Sequence, residues 1–215
     1  MKVLFGKEYL GQLYEKGSCS DKKHRFQPQI VKKYKKVVDL MISSPNVLSL
    51  TRYNSLCYEK LSGDKLGLSS VRVNGKYRIE FEELLQEEET IATICNITEL
   101  SNHYKYIKMK TLEANKMTPY EPTHPGEVIK DEIEYRGISQ RALAMQIGVS
   151  YTQLNEVLNG KRPLNTEMAL LIGAAIGVDA EPLLAMQTRY DMITVKNNKS
   201  FISRLNSIRN IAAMF

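Results

Sequence analysis

Residues 139–163 read SQRALAMQIGVSYTQLNEVLNGKRP, two short helical patterns broken by Gly148. Ser139 suits the cap of the first helix, and Leu143, Ala144 and Ile147 form its inner face. Gly148 fits the left-handed residue that ends it. Ser150 opens the next helix, and Ser150 with Gln153 makes a capping box. Leu154, Val157 and Leu158 point inward there, which leaves Tyr151, Thr152, Asn155 and Glu156 outward. Gly160 closes the helix, with Lys161 and Arg162 directly after it. Two helices crossing at a small residue, Ala144, form the helix-turn-helix pattern. Its second helix lies in the major groove with its N-terminal residues at base edges. Ser150, Tyr151, Thr152, Gln153 and Asn155 are therefore the expected DNA-facing residues, and Gln140, Lys161 and Arg162 the expected phosphate contacts. The alternative is an ordinary helical hairpin with a solvated outer face.

The chain has 215 residues, enough for two ordinary domains, with a net charge of +6 that favours a polyanionic partner. No apolar run approaches the roughly 20 residues of a membrane span, and the N-terminus lacks a signal-peptide core. Cys19, Cys57 and Cys95 are odd in number and far apart, which suits a reducing cytoplasm better than a disulfide framework. No metal-ligand spacing is present and no cofactor is called for; His124 has no partner His or Cys nearby. We expect a cytoplasmic protein without membrane contact.

The character of the chain changes along its length. Ile30, Val31, Tyr34, Val37, Val38 and Met41 recur at three and four, one face of an amphipathic helix with Lys32, Lys33, Lys35 and Lys36 mostly off it. From Leu56 to Leu100 the pattern is β-rich. Residues 106–124, with Pro119 and Pro122, read as a linker, and the chain from Gly126 to Tyr190 is helical throughout. A tail over 193–215 has Phe201, Ile202, Leu205, Ile208 and Ile211 on one side of a further helix. The expected division is thus 1–105, 106–124, 125–192 and 193–215, with two independently folded modules.

Leu68–Phe81 reads as a β-hairpin. A two-residue turn at Asn74-Gly75 mixes polar and apolar residues on each face. A three-residue loop, Asn74 to Lys76, instead pairs Val73 with Tyr77 and Val71 with Ile79, and the apolar pattern favours it. It also sets Arg72 opposite Arg78, which is unfavourable unless an anion compensates. Either Glu80, diagonal to Arg72, forms a surface ion pair, or the two guanidinium forks clamp a phosphate.

Two family resemblances bear on these readings. HPGE (124–127), ISQ (138–140), LNGKR (158–162) and YDM (190–192) resemble the HigA-type antitoxins of the Xre group. That resemblance implies a dimer that binds an operator in its own promoter and neutralises a toxin. YEKLSGDKLGLSSVRVNGKYRIEF (58–81) and ICNITELSNHYK (94–105) look like the HigB-type toxins of the RelE superfamily. The implied fold is α+β, two helices on a mostly antiparallel sheet, followed by the all-α helix-turn-helix domain. The implied activity is metal-independent cleavage of mRNA on the ribosome, in which the ribose 2′-OH attacks its own phosphodiester. Arg72 and Arg78 then stabilise charge, His103 exchanges protons, Tyr104 orients or stacks on the substrate, and Lys60 and Lys65 hold the backbone. The chain departs from the pattern at Ser62, where many relatives carry Lys; Lys60, two residues earlier, faces the same way along a strand. The family's toxin and antitoxin are usually separate products. Here they would be one chain, acting as a homodimer, with the tether holding the inhibitor at about millimolar effective concentration.

Overall fold

A computed structural model of the chain describes residues 1–85, 93–101 and 112–212. Its N-terminal half is built on a six-stranded sheet of β1 (Lys2–Phe5), β2 (Glu59–Lys60), β3 (Leu68–Arg72), β4 (Arg78–Leu84), β5 (Ile94–Ser101) and β6 (Leu112–Glu113). The strand order is β2-β3-β4-β5-β1-β6. β1 and β5 run parallel, and every other neighbouring pair is antiparallel. The hairpin adopts the register required by its apolar alternation. Val71 faces Ile79 and Arg72 faces Arg78, and the backbone of Val73 donates to Tyr77 at 2.9 Å.

Helices α1 (Glu8–Lys16) and α2 (Pro28–Ser43) bury Leu10, Leu13, Tyr14, Val31, Tyr34, Val38 and Met41 in the same core as Val3, Phe5, Val71, Ile79, Phe81 and Ile97 from the strands. Short α3 (Val47–Thr51) follows, capped by Asn46. The helical half comprises α4 (Pro125–Tyr135), α5 (Gln140–Gln146), α6 (Tyr151–Leu158), α7 (Thr166–Ile176), α8 (Ala180–Lys196) and α9 (Lys199–Ala212).

The two halves pack on each other. Their buried apolar side chains form one contiguous core, from Val3 to Met186. The expected linker also departs from the sequence reading in its described part. Residues 112–113 pair with β1, Ala114 is buried, and Thr123 and His124 are buried. Lys35 and Lys36, read as lying off the apolar face of α2, are buried as well. The reason is that the second half supplies their partners. Lys35 Nζ donates to the Glu121 carbonyl at 2.5 Å and to Thr123 Oγ1, and lies 3.4 Å from Asp39 Oδ2; Lys36 pairs with Asp131. Arg189 of α8 completes the cluster, donating to Tyr14 Oη at 2.9 Å and the Met117 carbonyl at 3.0 Å. Among the described residues no helix is long and apolar enough to cross a membrane.

Candidate nucleic-acid interface

Local chemistry places α5 and α6. The Ser139 hydroxyl accepts from the Ala142 amide at 3.1 Å. Gly148 takes φ +71° between the helices, a conformation that costs little without a Cβ. The capping box at Ser150 and Gln153 forms in both directions, each bond 3.2 Å. Leu143, Ala144, Leu154, Val157 and Leu158 are buried, while Tyr151, Thr152 and Gln153 are exposed.

Asn155 is half-buried, and its amide donates to Gln140 Oε1 at 3.0 Å. This bond joins the first residue of α5 to the second helix and fixes the planes of both amides. Gln153 spends its side-chain oxygen on the cap, so its amide NH2 is the group left for a further bond. Lys161 is exposed. Arg162 is exposed and bonds Glu156 through Nε at 2.9 Å, so contact with a phosphate competes with that ion pair.

The close approach of α4 to α6 supports this face from behind. A Cβ on Gly126 would lie 2.2 Å from the Val157 carbonyl, so only glycine fits. His124 caps α4 by accepting from the Gly126 amide at 3.1 Å, and its ring meets Tyr190 edge-on with centroids 5.0 Å apart. Burial holds the imidazole below its ordinary pKa, which keeps Nδ1 an acceptor at neutral pH.

The second cluster lies on one face of the sheet. Arg78 Nε donates to Ser70 Oγ at 2.8 Å, and its Nη2 reaches the Cys57 carbonyl at 2.6 Å and Glu59 at 3.0 Å. Arg72 Nε donates to the Asn74 carbonyl at 3.2 Å. Glu59 stands opposite Ser70 in the sheet, on the arginine face, and is the anion that offsets the paired guanidinium groups. Lys60 stands opposite Ser69 and so projects from the other face; the structure does not bring it to the arginine pair. Glu80 does not pair with Arg72. It is buried, accepts from Lys65 at 2.6 Å and from Ser101, and so also engages the lysine expected to hold RNA. His103 and Tyr104 lie outside the described residues. Sequence reasoning missed Glu59 because the pairing of β2, two residues long, carries no periodic signal.

Helix α4 closes over this cluster. Glu132, fully buried, accepts from the amides of Asn54 at 2.8 Å and Ser55 at 3.0 Å, and from Arg136 Nε at 2.6 Å. Arg136 in turn donates to the Arg52 carbonyl at 3.1 Å. One turn along, the Tyr135 ring lies 6.0 Å from the Arg72 guanidinium, and its hydroxyl accepts from Cys57 Sγ at 3.3 Å. Helix α4 thus packs against α6 on one side and the segment beside the arginine pair on the other.

Comparison with known proteins bears on the helical half. A helix-turn-helix family model matches residues 129–183. Virulence-associated protein I of Dichelobacter nodosus is 35% identical over 81 residues, which cover 37% of this chain and 75% of that protein. Among solved structures, Pseudomonas aeruginosa antitoxin HigA with the higBA promoter is 26% identical, covering 42% of this chain and 94% of that one with a TM-score of 0.35. An addiction module antidote protein of a HigA family from Coxiella burnetii is 27% identical, covering 39% and 94% with a TM-score of 0.35. With this match inside a formed helix-turn-helix, and spanning three quarters of a relative at that identity, the chain belongs to the helix-turn-helix family of virulence-associated protein I.

Proposed function

We propose that the protein is a DNA-binding autorepressor of the toxin–antitoxin kind, in which the helical half restrains an N-terminal ribonuclease within the same chain. The observation that carries the reading is the outward face of α6, where Tyr151, Thr152 and Gln153 are exposed and Asn155 is held by Gln140. That geometry suits base-edge contacts in a major groove, with Lys161 and Arg162 on the flanking phosphates. The antitoxin assignment rests on the HPGE, ISQ, LNGKR and YDM motifs. A homodimer on an inverted repeat follows from the half-site logic of such helices.

The RNA chemistry rests on the arginine pair and the HigB-type motifs. Arg72 and Arg78 would stabilise the phosphorane charge, with proton transfer by His103 and orientation by Tyr104. Cis restraint has support in α4. Tyr135 stands against Arg72, and Glu132 holds the segment whose Cys57 carbonyl engages Arg78. A second reading, a scaffold without catalysis, is favoured by the three protein partners of Arg78.

Footprinting on the DNA upstream of the gene tests the repressor, with two protected half-sites about one helical turn apart as the expected pattern. Failure to bind that DNA defeats it. Expressing the full chain carrying Glu132→Ala and Tyr135→Ala tests the restraint. Growth arrest and mRNA cleavage are expected, both abolished by adding Arg78→Ala; a folded variant with no toxicity favours the scaffold.

A further inference from the structure

The proposed chemistry leaves a second concentration of positive charge unused. Between α1 and α2 the chain reads Lys22, Lys23, His24 and Arg25 without interruption. These residues begin in a single 3-10 turn that Asp21 caps, accepting from the Lys23 amide at 2.9 Å and lying 2.6 Å from His24 Nδ1. His24 stacks on Tyr9 with centroids 3.7 Å apart, and Tyr9 is hydrogen-bonded to Glu99 of β5. That stacking pins the turn against the sheet and leaves Lys22, Lys23 and Arg25 exposed. Phe26 then meets Tyr77 edge-on at 5.5 Å, and Lys76 lies 5.8 Å from the same ring.

Tyr77 immediately precedes Arg78, which is in register with Arg72 on one side and Ser101 on the other. The basic turn, the aromatic pair and the two arginines therefore occupy one end of the sheet. Among the described residues, Lys22, Lys23, Arg25 and Lys76 form no salt bridge. Asp21 is engaged in the cap, and Glu99, which meets the turn through Tyr9, is engaged with Lys7 and Tyr9.

From this juxtaposition we infer that the sheet end is a docking track for single-stranded RNA. Lys22, Lys23, Arg25 and Lys76 hold phosphates, and the half-buried rings of Phe26 and Tyr77 offer an unpaired base an aromatic partner to stack on. Interleaved cations and aromatic rings suit a single strand, whose bases are free to stack. The assignment to RNA rests on the ribonuclease reading of the neighbouring arginine pair.

The test is fluorescence anisotropy of the full-length protein with labelled oligouridine across a salt series. Wild-type protein should bind, with log K falling by about 0.7 per phosphate contacted for each tenfold rise in salt. The variant Lys22→Ala/Lys23→Ala/Arg25→Ala should lose about 2 from that slope and at least about tenfold in affinity at low salt. Its thermal melting should be unchanged. Arg204→Ala/Arg209→Ala, which removes charge from α9 instead, should bind as wild type does.

Equal binding by the triple variant overturns the inference, and so does complete displacement of oligouridine by duplex operator DNA. Binding of phosphatidylglycerol vesicles but not oligouridine also overturns it, assigning the patch to lipid. The two readings fail separately. Oligouridine bound through this turn, by a chain that never cleaves mRNA when α4 is released, refutes the nuclease and leaves the track. Cleavage undiminished in the triple variant refutes the track alone.

Discussion

Glu132 has no contact with water, yet three donors converge on its carboxylate. Two of them are backbone amides from the other half of the chain, so the side chain acts as a cap supplied from far away in sequence. Replacing it with alanine leaves those amides and Arg136 without their acceptor. We expect Glu132→Ala to cost about 3–5 kcal/mol, read from the midpoint of urea unfolding. His124 gives a pH dependence of definite sign. Its folded pKa lies below its ordinary value of 6.5, so the unfolded chain binds the extra proton first. Its contribution is present above that value and is lost as pH falls below it toward the depressed folded pKa. Melting temperatures measured across that window should fall with acidification, and the fall should shrink in His124→Asn. On the DNA face, Asn155→Ala should cost about 1–3 kcal/mol and relax discrimination at one base position. Lys161→Ala should weaken all sequences alike and lower the salt slope by about 1. Gel-shift titrations against matched and mismatched operators separate the two effects.

At the scale of elements, the contact between α4 and α6 is the one with least room. A methyl group at Gly126 would meet the Val157 carbonyl, and the helices must separate to admit it. Gly126→Ala should destabilise the fold by at least about 1–3 kcal/mol and reduce operator binding, checked by melting and anisotropy on the same sample. Elements of this kind differ in how much their sequence discloses. The bounds of α6 were legible because Gly148, Ser150 and Gln153 act on their own backbone neighbours. The β3–β4 register was legible because only one pairing puts Val71, Val73, Tyr77 and Ile79 together. Lys35 and Lys36 were not, since their burial depends on Glu121, Thr123 and Asp131, more than 80 residues away. The arginine cluster fell between these cases. The Arg72–Arg78 pair followed from periodicity, but its true counter-ion, Glu59, sits on a strand too short to show any. The reach of α4 to Cys57 left no trace in composition or spacing.

The whole molecule has one continuous interior, and the polar contacts across the halves are themselves buried. Lys35, Asp39, Thr123, Tyr14 and Arg189 form a network that neither half completes alone. Calorimetry should therefore show a single cooperative transition, with calorimetric and van't Hoff enthalpies in agreement. Two resolved transitions would show that the shared core contributes little. Asp39→Ala should leave the buried Lys35 ammonium without its carboxylate counter-ion and lower the midpoint of the whole transition.

Strand β6 carries an implication for biosynthesis. A ribosome extends the polypeptide from its first residue onward, so Leu112 and Glu113 leave the exit tunnel after every other strand has emerged. The edge of β1 stays open until they arrive, and they are followed closely by α4. A nascent N-terminal half is thus finished by the stretch that leads directly into α4, which leaves little interval in translation when its sheet is complete and Arg72 is not yet met by Tyr135.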